Sequence, residues 1–153
     1  IIGQTIIEGE IKEKVDAIAV MGGYKITPEL MKSMTNLKII ACYGVGYDAI
    51  DIDYAKSLGI KVTNTPEVLN DEVADTAIAL MLCVYKKILE ADKFARNNSW
   101  INGEFPLTKK FSGSKLGIVG MGRIGKAIAK RAEAFNCTIS YHSRNKKNVE
   151  YQF

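Results

Sequence analysis

The chain has 153 residues, 47% hydrophobic and 25% charged, with 21 Lys and Arg against 17 Asp and Glu for a formal net charge of +4. That is the composition of a globular protein able to bury a core as one domain or as two small ones. Its basic residues are spread along the chain without an arginine-rich or aromatic-interleaved tract, which argues against nucleic-acid binding, while the mild positive balance suits a small anionic ligand.

In chain order, Val15-Asp16-Ala17-Ile18-Ala19-Val20 reads as a buried strand ending at Gly22-Gly23. Thr27-Pro28-Glu29 opens a helix, with Thr27 as N-cap and Pro28 at the first helical position, running to about Met34. Leu37 to Cys42 is the next strand and ends at Gly44-Val45-Gly46. A short helix from Asp51 to Leu58, closed by Gly59, leads to a third strand, Ile60 to Thr63. Strands alternating with helices predict a parallel α/β sheet, in which ligands bind at the carboxyl ends of the strands. Both glycine turns lie at such ends.

Pro66 interrupts this pattern. Asn70-Asp71-Glu72 then supplies a cap and first-turn acids for one long helix whose apolar positions Val73, Ala77, Leu80, Met81, Val84 and Ile88 keep helical spacing as far as about Arg96. A polar loop containing Gly103, Pro106 and Lys109-Lys110 follows. No internal repeat or low-complexity tract is present.

The most specific stretch is Gly120-Met121-Gly122-Arg123-Ile124-Gly125, entered from the apolar strand Lys115 to Val119 and followed by the helical pattern Ile124, Ala127, Ile128, Arg131. A glycine fingerprint for dinucleotides requires that context. One glycine makes the tight turn, one lets the backbone approach a pyrophosphate, and one permits close packing of helix on strand. Free amides at the helix start hold the phosphates. A second strand, Cys137 to Tyr141, ends where NAD-binding units place an acid on the ribose hydroxyls. That position is Ser143, 18 residues after Gly125, with His142 the adjacent possibility and neither acidic, in the segment His142-Ser143-Arg144-Asn145-Lys146-Lys147. A serine hydroxyl and an arginine fork favour a 2′-phosphate that an acid would repel, so the segment reads as selective for NADP(H).

Tyr43-Gly44-Val45-Gly46-Tyr47-Asp48, Gly59 to Pro66, Asp71-Glu72-Val73-Ala74-Asp75 and Gly117 to Gly125 follow one another in an order and spacing that resemble the D-isomer-specific 2-hydroxyacid dehydrogenases. Within that family, Phe111-Ser112-Gly113, Ala127 to Phe135 and Tyr141-His142-Ser143-Arg144 resemble the NADPH-dependent glyoxylate, hydroxypyruvate and hydroxyphenylpyruvate reductases. The resemblance implies part of a flavodoxin-like substrate domain over residues 1–66, followed by the first part of a Rossmann NADP-binding domain over residues 67–153, both with parallel sheets. It implies that the backbone amides of Val45 and Gly46 hold the carboxylate of a 2-oxo acid. It further implies that Gly120, Gly122, Arg123, Ile124 and Gly125, with Ser143 and Arg144, bind NADP, and that the long helix takes part in a homodimer contact.

The family's catalytic arginine and its Glu and His pair match nothing in these residues. The expectation is therefore a fragment lacking the C-terminal half and the extreme N-terminus, inactive and aggregation-prone by itself. His142, the single histidine, falls at the adenosine end of the cofactor, out of reach of the reacting carbonyl. Two rival readings are a non-catalytic nucleotide-binding scaffold of corepressor type and a receiver-like signalling domain. The second needs an acidic cluster at strand ends, whereas Asp48, Asp51 and Asp53 read as turn and cap residues.

Cys42, Cys83 and Cys137 are odd in number and far apart, which predicts buried free thiols in a reducing compartment and neither a disulfide nor a metal site. Ile1-Ile2-Gly3-Gln4 shows no signal-peptide pattern, and the longest apolar run, Ala77 to Tyr85, is too short to cross a bilayer. A soluble cytoplasmic protein without membrane contact is the expectation.

Overall fold

A computed structural model of the chain describes residues 9–21 and 23–153. Gly22, expected at the end of the first strand, and Ile1 to Gln4 lie outside the described residues. The chain divides into two compact units, Ile1–Val68 and Leu69–Phe153.

In the first unit a 3-10 turn, Gly9–Lys14, leads to strand β1, Ala17–Met21. Helix α1, Pro28–Ser33, begins as its sequence dictates: Thr27 Oγ1 accepts from the Leu30 amide at 3.2 Å and Pro28 occupies the first turn, where its missing N–H costs nothing. Strand β2, Ile39–Tyr43, is followed by helix α2, Ile52–Ser57, capped by Asp51, whose carboxylate accepts from the Tyr54 amide at 2.9 Å. Gly59 leaves that helix at φ +74, a left-handed conformation that favours glycine, and strand β3, Lys61–Thr63, follows. The three strands form a parallel sheet in the order β1-β2-β3, with Ile18 beside Ile40 and Ile40 beside Val62. Ile18, Ile40 and Cys42 from the sheet join Met31, Met34, Leu37, Ile50, Ala55 and Ile60 in one apolar core.

The second unit opens with helix α3, Asn70–Lys86. One uninterrupted helix to Arg96 is not what forms. Lys87 turns left-handed at φ 49 and ψ 45, its amide bonds back to Cys83 and Val84, and a separate helix α4 runs over Ile88–Arg96. The cap differs too: Asn70 is the first helical residue, and Leu69 precedes it without a side-chain cap bond.

The buried line of α3 also departs from the expected stripe. Ala74 and Ile78 are buried and Met81 partly so, whereas Val73, Leu80 and Val84 face outward, Val84 with 75% of its surface exposed. The helix is apolar on two faces, and periodicity alone does not say which one the unit covers. After a 3-10 turn, Ser99–Asn102, come strand β4, Lys115–Val119, helix α5, Arg123–Glu133, and strand β5, Thr138–His142. Strands β4 and β5 pair in parallel, with Val119 beside His142.

The second core gathers Ile78, Ile118, Met121, Ala129, Ala132, Ile139 and Tyr141. At its margin Phe111 is buried between Tyr85 and Phe135, with ring centroids 5.2 and 5.1 Å away in edge-to-face geometry. Arg131 of α5 ties this helix to α3, donating to Asp71 at 3.1 Å and to Asp75, and also to the Ala127 carbonyl. The hydrogen bond to Asp75 raises the guanidinium pKa, so the clamp stays charged. Cys42, Cys83 and Cys137 are free thiols, the first buried and the others half-buried. No helix among the described residues is long and apolar enough to cross a membrane.

Candidate functional site

Two sites were read from the sequence, one in each unit. In the first unit the segment after β2 is tied down by its carbonyls. Gly44 O accepts from the Thr65 amide at 2.9 Å, Val45 O from Asn64 Nδ2 at 2.9 Å, and Gly46 O from the Cys42 thiol at 3.4 Å. Three successive carbonyls are thus satisfied within the unit, a rigid arrangement for a loop whose amide edge is the part suited to an anion. Val45 and Gly46 line a hollow of about 480 Å³ together with Gly23, Gly44, Asp48 and Ala49. Asp48 brings a carboxylate to the same hollow, with Oδ2 3.6 Å from where a Cβ on Gly46 would stand. Coulomb repulsion from that side disfavours an anion, so a carboxylate ligand would have to sit on the amide edge.

In the second unit the glycine turn has the geometry its sequence demands. Gly120 sits at φ +102, and its amide donates to the His142 carbonyl at 2.8 Å, which fixes the turn against the end of β5. Met121, between the first two glycines, is only 1% exposed and anchors the turn in the core. Gly122 is the N-cap of α5, and a Cβ there would meet nothing within 4 Å. Gly125 is the opposite case: a Cβ would lie 2.1 Å from the Gly120 carbonyl oxygen and 3.4 Å from Ile118 Cγ2. The third glycine therefore sets how closely α5 packs on β4, and the second leaves the approach from outside open.

Arg123 and Ile124 form the first turn of α5, which carries no acidic residue and no side-chain cap. Thr27 and Asp51 cap α1 and α2 by hydrogen bonds. Helices α3 and α4 also start without a side-chain cap but carry acids in their first turns, Asp71 and Glu72 in α3 and Glu90 in α4, so what sets α5 apart is an uncapped start with no acid beside it. An uncapped helix start presents amide hydrogens and the positive end of the helix dipole to any anion placed there.

The segment after β5 has the expected residues, one of which also makes a hydrogen bond within the turn. Ser143 Oγ donates to the Asn145 carbonyl at 2.7 Å, so in this geometry the hydroxyl shapes the turn and its proton is committed. Arg144 is exposed beside it. Tyr141, just before, accepts from the Lys147 amide at 2.8 Å and donates to the Lys147 carbonyl at 3.2 Å. This tie was not legible in the sequence, because its partner is backbone six residues on. Further along, Tyr151 donates to Glu133 at 2.7 Å, and burial together with that carboxylate pushes the phenol pKa up to about 12. His142 stacks on Phe153, with ring planes 10° apart and centroids at 6.4 Å.

The glycine turn with its uncapped helix start and the basic segment after β5 fit the adenosine and pyrophosphate portion of a dinucleotide, with no acidic residue between His142 and Lys147 to exclude a 2′-phosphate. Comparison with known proteins bears on the same point. Residues 5–149 match the family pattern for the catalytic domain of D-isomer specific 2-hydroxyacid dehydrogenases. A glyoxylate/hydroxypyruvate reductase of Arabidopsis thaliana is 50% identical over 126 residues, covering 82% of this chain and 40% of that protein.

Among solved structures, a 2-hydroxyacid dehydrogenase from Ketogulonicigenium vulgare superposes with a TM-score of 0.90 at 37% identity, covering 94% of this chain and 46% of that one. An NADPH-dependent glyoxylate/hydroxypyruvate reductase from Sinorhizobium meliloti gives 0.88 at 40% identity, covering 95% and 47%. The chain thus spans less than half the length of each. Its parallel α/β architecture is the one those enzymes share, and with the family pattern matched over nearly all its length, the chain belongs to the D-isomer specific 2-hydroxyacid dehydrogenases.

Proposed function

We propose that this chain supplies the cofactor-binding turn and one substrate-anchoring loop of an NADP(H)-dependent reductase of small 2-oxo acids of the glyoxylate and hydroxypyruvate type, giving the D-2-hydroxy acid. The observation that carries the reading is the uncapped, acid-free start of α5 behind Gly120-Met121-Gly122, combined with Ser143-Arg144 after β5 where an acid would sit in an NAD-binding unit. When bound, the nicotinamide cofactor supplies a hydride to the carbonyl carbon of the acid. The residues of this chain hold and orient. The amides opening α5 take the pyrophosphate, Gly122 lets it approach, and Gly125 sets the helix position. Arg144 donates charge-assisted hydrogen bonds to the 2′-phosphate.

Residues 1–66 form the substrate-binding portion and residues 67–153 the NADP-binding portion in this reading. The amides of Val45 and Gly46 bind the substrate carboxylate on a loop that the Thr65, Asn64 and Cys42 hydrogen bonds hold in place. The outward apolar face of α3 and α4, with Val73, Leu80, Val84, Ile88 and Leu89 exposed, is assigned to a homodimer contact. Three free thiols accord with a reducing, cytoplasmic setting.

Fluorescence titration of the full-length protein with NADPH and NADH tests the cofactor assignment. The wild type should prefer NADPH. Arg144→Ala should weaken NADPH by roughly ten- to a hundredfold, the loss of one hydrogen bond to a charged group, while leaving NADH in place. Equal losses for both cofactors, or a wild type preferring NADH, would refute the assignment. NADPH oxidation in the presence of glyoxylate or hydroxypyruvate tests the substrate class, and failure with both would remove it.

A further inference from the structure

The segment after β5 is held by more than the strand that leads into it. Tyr141, the penultimate residue of β5, is buried at 5% exposure in the core of its unit, and its ring lies 5.3 Å from that of Phe153. Its hydroxyl takes both backbone groups of Lys147, accepting from the amide at 2.8 Å and donating to the carbonyl at 3.2 Å. Only a group that donates and accepts at once makes both bonds, and a phenol is such a group. The same loop is closed again where the Tyr141 amide donates to the Gln152 carbonyl at 2.8 Å, and internally by Ser143 on Asn145. Arg144 sits inside the span that the Tyr141 hydroxyl closes.

We propose that Tyr141 is a positioning residue for cofactor selectivity, its buried hydroxyl pinning residues 143–147 so that Arg144 is presented for the 2′-phosphate before the ligand arrives. A loop ordered in advance loses less conformational entropy on binding, so its contacts convert more fully into affinity. The hydroxyl itself is committed to Lys147 on both sides, so it acts through the loop and makes no contact with the ligand. The inference rests on the reading of Arg144 as the 2′-phosphate partner.

The test is a double-mutant cycle on the full-length protein, with NADPH and NADH as the two probes because they differ only by that phosphate. Tyr141→Phe keeps the ring and its packing and removes the hydroxyl alone. It should weaken NADPH by roughly five- to thirtyfold, the range between one and two net hydrogen bonds lost, and leave NADH unchanged. In the Arg144→Ala background the same change should have no further effect. Equal weakening of both cofactors would mean that Tyr141 merely supports the fold, and additive losses would mean that it does not act through Arg144; either result overturns the proposal.

Failure of Arg144→Ala to separate the two cofactors would bring down the cofactor reading and this inference together. Separation by Arg144→Ala with none by Tyr141→Phe would bring down the inference alone. Amide hydrogen exchange in the unaltered protein needs no variant: slow exchange at Lys147 supports the pin, and exchange at the rate of a free peptide overturns it.

Discussion

Gly125→Ala separates packing from ligand approach in the glycine turn. The added methyl would stand 2.1 Å from the Gly120 carbonyl oxygen and 3.2 Å from its carbon. Relieving that contact requires α5 to lift from the turn by roughly 1 Å, since real Cβ contacts stay above 3.0 Å. The carbonyl has little room to yield. Gly120 is held at φ +102 with its amide on His142, and Met121 is locked in the core beside it.

Overpacking of this kind costs about 1–3 kcal/mol, with a rigid backbone atom placing it at the upper end. Replacing a helical glycine by alanine returns at most about 1 kcal/mol, which leaves a net loss of roughly 2 kcal/mol. For a unit of this size that lowers the melting temperature by roughly 8–16 °C.

Gly122→Ala is the control. Its methyl meets nothing within 4 Å and the backbone there is extended, at φ −86, so stability should fall by less than about 1 kcal/mol. NADPH affinity should nonetheless drop, because in the proposed binding mode the methyl stands in the path of the pyrophosphate. Calorimetric melting and NADPH titration of both variants decide the matter. Gly125→Ala melting with the wild type would show that the close approach of α5 to Gly120 is not what this glycine serves.

Two further outcomes are expected. Tyr151 has its pKa raised from 10 to about 12, so its contribution to stability is fully present below about pH 10 and is lost as the pH rises toward 12, where the unfolded chain ionises first. Urea unfolding across that range should show the decline in the wild type and a flatter profile in Tyr151→Phe, and identical profiles would contradict the Tyr151–Glu133 pairing. On the outward face of α3, Leu80→Asp with Val84→Asp should shift the full-length protein from dimer to monomer in light scattering without unfolding it, because both residues are exposed at 62% and 75%; an unchanged dimer would move the contact elsewhere.

Local chemistry was legible where a cap or turn residue has a single favoured steric or hydrogen-bonding outcome. Thr27 and Asp51 cap helices three residues away, Gly59 closes α2, and the glycine spacing from Gly120 to Gly125 announces a strand, a turn and a helix. Each follows from steric and hydrogen-bonding rules that act within a few residues. The parallel α/β class follows in turn, since alternating strands and helices admit few other arrangements.

The packed structure decided what those local rules leave open. Apolar residues surround α3, so only packing against α5 determined that Ala74 and Ile78 go inside while Leu80 and Val84 stay out. The break at Lys87 carries no Gly or Pro to announce it. The contact of the Ser143 hydroxyl with Asn145 is not announced by the residues around it, and Tyr141 reads as one more apolar strand residue until its oxygen is found on Lys147. A sequence records which groups are able to donate and accept; which of them meet is set by how the backbone returns on itself, and that is fixed only when the whole unit packs.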